Sequence, residues 1–236
     1  MLLKNQKQNT GDKDNMIKTK STLSQKGITL IELLVALVIG GIIIGGIYRL
    51  FVAQTKAYTV QDQVVEVQQN IRSTMEILLR DLRMTGFDDD INPGITFRLP
   101  PDPNQDVYIL GDNSITVNYE YYDKTALQYQ RHSVAYWRDA ATLRLIRQLT
   151  IDNVAGPQEA LLENVEALQF IYGVDTNDDR VVENWVAAGA VGISKVVAIR
   201  VRLTAKPEQG NPDVQKMVSP RTLESIITLR NISLIK

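Results

Sequence analysis

The strongest constraint on the fold of this chain is an apolar run near its N-terminus, ITLIELLVALVIGGIIIGGIYRLFVA, residues 28–53. Between Ile28 and Tyr48, a stretch of 21 residues, Glu32 carries the only charge. A helix of about 20 apolar residues is long enough to cross the ~30 Å hydrocarbon core of a bilayer. We therefore predict that residues 28–53 form a transmembrane helix.

The 27 residues before this run are polar and basic. They contain six lysines and two aspartates, a net charge of +4, whereas the whole chain has a net charge of −1. Such a segment cannot bury enough apolar surface to fold alone. Because positive charge next to a span stays on the cytoplasmic side, we predict a single-pass inner-membrane protein. Residues 1–27 would lie in the cytoplasm and the C-terminus in the periplasm.

Glu32 is unusual because it lies inside the apolar run. A carboxylate in such a place costs roughly 2.5–3.5 kcal/mol to insert and needs a cationic partner. No lysine or arginine follows it before Arg49. Cleavage after Gly27 would create a partner, the α-amine of Ile28. An uncleaved signal anchor is the alternative, but it leaves the Glu32 carboxylate unexplained.

The sequence KGITLIE, residues 26–32, resembles the processing site of class III prepilin signals, which type IV pilins and type II secretion pseudopilins share. The resemblance implies that a prepilin peptidase cuts after Gly27 and methylates the new N-terminus, Ile28. The family usually has phenylalanine at that position. The resemblance also implies that Glu32 neutralises the N-terminal amine of a neighbouring subunit as a filament forms.

Four glycines lie in the middle of the apolar run, and Gly41 and Gly45 form a GxxxG motif. Small residues let membrane helices approach each other closely, so we predict helix packing at Gly41 and Gly45. Helix flexibility is one alternative, and the ordinary enrichment of glycine in membrane helices is another.

An amphipathic half of the same helix is predicted over residues 54–86. Apolar residues recur there at intervals of three and four: Val60, Val64, Val67, Ile71, Met75, Leu78 and Leu82. This spacing produces one apolar face of a helix, and Gly86 is a plausible stop signal. We expect the apolar face to pack on a sheet.

Residues 87–236 are predicted to form a β-rich extracytoplasmic body. Strand-like runs occupy Val107–Leu110, Ser114–Tyr122, Gln128–Trp137, Leu143–Leu149, Asn164–Gly173, Ser194–Ala205 and Thr222–Leu234. One N-terminal helix followed by about seven strands indicates an α+β fold, with the long helix packed on an antiparallel β-sheet.

Several motifs in this region are similar to those of PilW-type minor pilins. The segment Gln68–Gly86 contains RDLR-x-x-G, residues 137–139 are WRD before a hairpin, residues 165–172 are VxxLQFxY, and residues 229–231 are LRN. The J-type minor pseudopilins of type II secretion share much of this pattern and are the nearest alternative.

The resemblance implies a pilin-like fold and a structural, non-enzymatic role in a type IV pilus. Such subunits help to initiate the filament, often at its tip, which would link the chain to adhesion and twitching motility. The implied partners are the prepilin peptidase, the major pilin, other minor pilins, a tip adhesin and the inner membrane.

Composition argues against most other functions. The chain has no cysteine and a single histidine, His132, which excludes thiol nucleophiles and the usual zinc sites. We find no acid–base or nucleophile constellation and predict that the chain is not an enzyme. The balanced charge argues against a nucleic-acid partner.

A membrane-anchored binding or adhesion module is the remaining alternative. In it, four arginines among aromatic residues would form a basic patch: Arg131, Arg138, Arg144 and Arg147.

No cofactor is expected, with calcium as the alternative. Asp175, Asn177 and Asp179 carry oxygen atoms at alternate positions, as calcium loops do. Arg180 stands where such a loop has glycine, and Val186 stands where it has glutamate. A polar hairpin loop explains the same residues, because Asp and Asn are common in turns.

Overall fold

The computed structural model describes residues 27–88, 107–207 and 218–232. The chain divides into two compact units, Met1–Phe51 and Val52–Lys236. Residues 1–26 of the predicted leader lie outside the described residues, and so do the last residues of the final predicted strand, from 233 onward.

One long helix, α1, spans Leu30–Arg83 and has 54 residues. Its apolar residues up to Phe51 are exposed, as a segment that must face lipid or other helices requires. The predicted apolar face is buried from Val67 onward, and its members are Val67, Ile71, Met75, Leu78 and Leu82. Val60 and Val64 lie on the same face but are only half-buried. The amphipathic pattern is therefore confirmed for the last four to five turns of α1.

The strands of the second unit form two antiparallel sheets. The first sheet has the order β1-β2-β3-β4-β5 and the second the order β7-β6-β8-β9. The strands are β1 Tyr108–Leu110, β2 Ser114–Asp123, β3 Gln128–Asp139, β4 Arg144–Ile151, β5 Val154–Leu162, β6 Val165–Asp175, β7 Asn184–Val186, β8 Lys195–Ala205 and β9 Arg221–Thr228. Each of the seven predicted runs contains a strand.

Strands β5 and β7 were not predicted from the sequence. Strand β5 follows β4 through a two-residue turn in which Asp152 and Asn153 have φ of 48° and 67°. Such left-handed pairs join hairpin strands because their twist matches that of the strands. Strand β7 has only three residues and pairs along the edge of β6.

The apolar face of α1 packs against the inner faces of both sheets. The first sheet contributes Val117, Tyr136 and Leu145 to this core, and the second contributes Phe170, Ile199 and Leu203, among others. Full burial of one such side chain stabilises the fold by about 1.5–3 kcal/mol. The α+β class is confirmed, with the antiparallel strands divided between two sheets.

Candidate functional site

The three residues with predicted processing and assembly roles lie at the N-terminus of α1. Gly27 and Ile28 precede the helix and are exposed. Glu32 lies in the first turn, and its Oε2 accepts hydrogen bonds from the backbone N–H and from the Oγ1–H of Thr29, both at 3.4 Å. Thr29 Oγ1 in turn accepts from the backbone N–H of Glu32 at 3.3 Å.

This reciprocal arrangement is a capping box, in which a threonine before the helix and a glutamate three residues later satisfy the first backbone N–H groups. The Thr-x-x-Glu spacing of residues 29–32 is the sequence signal of this capping box, which was not predicted. The carboxylate of Glu32 thus meets neutral donors of Thr29. No ion pair from Glu32 occurs within the described ranges.

The apolar side chains that follow Glu32 are exposed up to Phe51 among the described residues. This segment is long and apolar enough to cross a membrane, and it is unburied in the structure. A Cβ added at Gly41 or Gly45 would meet nothing within 4 Å. The helix packing predicted for Gly41 and Gly45 therefore stays a prediction that concerns other chains.

A buried polar network joins the last turns of α1 to the first sheet. Asp81 is 5% exposed. Its Oδ2 accepts a hydrogen bond from Tyr136 Oη at 2.6 Å and one from Arg147 Nε at 2.8 Å. Arg147 Nη1 also donates to Glu159 Oε2 on β5 at 3.1 Å. This network links α1 to strands β3, β4 and β5.

The network shifts the ionisation of its members. Burial and the hydrogen bond to Asp81 raise the pKa of Tyr136, so its hydroxyl stays a proton donor. Burial alone would lower the pKa of Arg147, but the hydrogen bond and charge of Asp81 more than offset this and raise it. Arg147 is therefore a permanent cation paired with Asp81.

The end of α1 is held by the C-terminal LRN segment. Asn231 Nδ2 donates to the carbonyl oxygen of Arg83 at 3.2 Å and to that of Thr85 at 3.3 Å. Gly86, the predicted stop, has a φ of 69°, which glycine adopts without strain. The RDLR-x-x-G and LRN motifs, about 150 residues apart in the sequence, thus meet in one contact.

The two remaining motifs also have structural roles. In the WRD segment, Arg138 Nε donates to the carbonyl oxygen of Val165 at 2.8 Å and thereby joins β3 to the start of β6. In the VxxLQFxY strand, the side chains of Phe170 and Tyr172 are in the core. Tyr172 Oη donates to the carbonyl oxygen of Gly111 at 2.7 Å. All four motifs therefore hold α1 and the two sheets together.

The candidate calcium loop connects β6 to β7. Asp175, Asp179 and Glu183 place carboxylate oxygens within 4.8 Å of one another, whereas the side chain of the predicted ligand Asn177 donates to Asp179. Asp175 accepts from the backbone N–H groups of Asp178 and Arg180, at 2.7 and 2.8 Å. Burial raises the pKa of Asp175, but these N–H groups lower it more. The carboxylate thus already organises the loop, and calcium binding stays a prediction.

The four arginines of the predicted basic patch do not share a surface. Arg138 and Arg147 pair with the fully buried Leu145 and Tyr136, which places them on the inner face of the first sheet. Arg131 and Arg144 alternate with them and lie on the outer face. Arg144 also pairs with Glu163 at 2.8 Å. The prediction of one basic patch is wrong, because strand alternation separates residues that are close in sequence.

His132, the single histidine, packs among tyrosines of β2. Its ring centroid lies 5.1 Å from that of Tyr119 and 5.9 Å from that of Tyr121. Its Nε2 is buried without a hydrogen-bond partner. Burial lowers the pKa of His132, and the charges of Asp152 and Asp123 offset this only in part. We interpret His132 as a packing residue.

Comparison with known proteins gives two family matches. Residues 138–228 match the family described as Type IV Pilus-assembly protein W, and residues 23–48 match the Prokaryotic N-terminal methylation motif. No curated protein and no solved structure matches. The first match runs from the end of β3 to the end of β9, and the second covers Gly27, Ile28, Glu32 and the start of α1. Both matches are to type IV pilin families, and together they support the resemblance of the chain to minor pilins of the PilW type.

Proposed function

We propose that the chain is a structural subunit of a type IV pilus and acts by assembly and not by catalysis. A prepilin peptidase cuts after Gly27, and Ile28 becomes the methylated N-terminus. The apolar half of α1 then anchors the subunit in the inner membrane by a single pass, with the body in the periplasm, until the subunit enters the filament. The methylation-motif match over residues 23–48 supports cleavage and methylation, and the lysines before the apolar run support the orientation.

The observation that carries this proposal is the position of Glu32. It lies at the start of a helix segment able to cross a membrane, and its carboxylate meets neutral donors of Thr29. A carboxylate in lipid needs a cation. The α-amine released by cleavage is a cation at neutral pH. A neighbouring subunit would bring its own new amine to Glu32 as the filament forms.

The body favours a pilus over a type II secretion pseudopilus, because the PilW match lies within it and spans residues 138–228. We propose that the chain contacts other minor pilins and the major pilin, and that it helps to initiate the filament or lies at its tip next to an adhesin. Deletion of the chain should then reduce piliation. Loss of enzyme secretion with intact pili would instead indicate a pseudopilin.

The experiment that tests the assembly role is the variant Glu32→Ala in cells that make pili. We expect this variant to be cleaved normally and to accumulate in the membrane, but to be missing from sheared filaments. Glu76→Ala is the matched control, since it removes an exposed carboxylate of α1 outside the apolar run. Normal incorporation of Glu32→Ala would refute the assembly role of Glu32.

A further inference from the structure

A cleft beside α1 carries two arginines that pair with no acidic side chain among the described residues. Arg72 on α1 and Arg221 at the start of β9 line a cavity of about 400 Å³ between the helix and the second sheet. In the part of the chain that the structure describes, no ion pair or hydrogen bond from either side chain occurs. We call this cavity the arginine cleft.

The position of Arg221 indicates that the arginine cleft can bind an anion from outside the chain. Its cross-strand partner is Ala205, which is buried in the core, so the side chain of Arg221 lies on the helix-facing side of the sheet. Its Nε is buried and has no hydrogen-bond partner. A buried N–H group without a partner costs free energy, and such groups in native proteins are nearly always satisfied. A charged N–H group is best satisfied by an anion.

The other lining residues define the shape of the anion. Ile71 and Leu223 provide an apolar wall, and Gln68, one helical turn before Arg72, offers an amide donor. An acidic side chain fits this cleft, because its methylene groups can pack on Ile71 and Leu223 while its carboxylate meets the two guanidinium groups. Guanidinium groups bind carboxylates with two parallel hydrogen bonds.

The opposite side of α1 carries an exposed carboxylate, that of Glu66. A second cavity of about 310 Å³ is lined there by Glu66, Glu163 and Lys206, among others. Glu163 pairs with Arg144 and Lys206 pairs with Glu166, so Glu66 is the acidic lining residue without an ion pair among the described residues. Val67 and Ile71 are buried and separate the two cavities around the helix. In a filament of repeated subunits, one side of each subunit faces the other side of the next. A neighbouring pilin with an exposed acidic side chain at the position that Glu66 has in this chain would then place it against the arginine cleft.

A lipid phosphate is a weaker candidate for the cleft. Within the second unit, α1 runs about 30 Å from Val52 to Arg72. The headgroup layer extends only about 5–8 Å beyond the hydrocarbon of a bilayer. We therefore infer that the arginine cleft receives a carboxylate side chain of a neighbouring pilus subunit, an inference that depends on the proposed function.

The test places a photo-crosslinking amino acid at position 68 of the full-length chain in cells that make pili. We expect a covalent adduct with an identified pilin subunit in sheared filaments. The double variant Arg72→Glu and Arg221→Glu should lose this adduct and should fall about tenfold or more in the filament fraction, because like charges would meet. Lys124→Glu, in the exposed β2–β3 turn, is the matched control and should leave both unchanged.

The outcomes separate the cleft from the proposed function. An adduct with phospholipid, an adduct within the chain alone, or no adduct in filaments that contain the chain would overturn the role of the cleft. Normal incorporation of the double variant would do the same. A wild-type chain that never enters filaments would overturn the proposed function and the cleft together. Normal cleavage and membrane levels of the double variant show that the variant chain is intact.

Discussion

At the scale of single residues, Asp81 decides how α1 is joined to the first sheet. It is the only charged residue among the buried positions of α1. Tyr136 and Arg147 both bind its Oδ2, at 2.6 and 2.8 Å. A buried charge that loses its partner is strongly destabilising, although the intact pair itself adds little to stability. The network thus favours one position of the helix on the sheet over others.

The first prediction concerns this pair. Asp81→Asn keeps the size of the side chain and removes its charge, which leaves the Arg147 guanidinium, only 14% exposed, without its nearest carboxylate. We expect the free energy of unfolding to fall by about 3 kcal/mol. Urea unfolding of the purified chain in detergent, followed by tryptophan fluorescence, measures this change.

The control for Asp81→Asn is Glu159→Gln. Glu159 binds the same guanidinium at 3.1 Å, but its side chain is 54% exposed. An exposed partner contributes less than about 1 kcal/mol. If both variants lose the same free energy of unfolding, the buried carboxylate of Asp81 contributes no more than the exposed carboxylate of Glu159.

The second prediction uses the single histidine. Because burial lowers the pKa of His132 in the folded chain, the unfolded chain binds a proton first as the pH falls. The contribution of His132 is complete above about pH 6.5 and declines as the pH drops from there towards the lowered pKa. We expect the free energy of unfolding to decrease between pH 7.5 and pH 5.5, and His132→Phe to flatten this slope. An unchanged slope in His132→Phe would contradict the assignment.

The roles of single residues could be predicted from the sequence only where they depend on neighbouring positions in the chain. Gly27, Ile28 and Glu32 stand in one short motif next to the apolar run, so their predicted roles needed no tertiary contact. The partners of Arg147 were not predictable, because Asp81 lies 66 positions away and the pair forms only when α1 packs on β4.

At the scale of elements, the end of α1 depends on a residue from the other end of the chain. Asn231 donates two hydrogen bonds to the last carbonyl groups of the helix region. The last carbonyl groups of a helix have no partner within the helix, and the helix dipole is negative at that end.

The third prediction therefore uses Asn231→Asp. A carboxylate in place of the amide would repel the carbonyl oxygens of Arg83 and Thr85. We expect a loss of about 1–2 kcal/mol in the free energy of unfolding, and faster amide exchange in the last turn of α1. Asn231→Ala removes the bonds without adding charge and should cost less. If Asn231→Ala is the more harmful of the two, repulsion is not the cause.

Elements with clear periodicity were predictable, and exposed or short ones were not. Strand β2 alternates buried Ile115 and Val117 with polar neighbours, and its sequence shows that pattern. Strand β5 is an edge strand that contains Gly156 and Pro157 and is mostly exposed, so it has no alternation to detect. Its only signal was the turn pair Asp152–Asn153 before it.

At the scale of the whole molecule, the apolar residues of α1 are exposed in its first half and buried in its second half. The apolar residues of α1 up to Phe51 are exposed and require lipid or other helices around them. From Val67 onward, the same helix forms the core of a body closed by two sheets. The two halves could be distinguished from the sequence alone, because the first is a continuous apolar run and the second has apolar residues at helical spacing. The division of the strands into two sheets depends on long-range pairing, such as β6 with β8, which periodicity alone does not specify.

The central claim is that this chain is a prepilin that becomes a filament subunit through cleavage. The most direct test is the N-terminal sequence and intact mass of the protein from membranes, with and without a co-expressed prepilin peptidase. We predict a chain that starts at Ile28, with or without one added methyl group, only when the peptidase is present. A chain that keeps residues 1–27 in the presence of an active peptidase would contradict the claim.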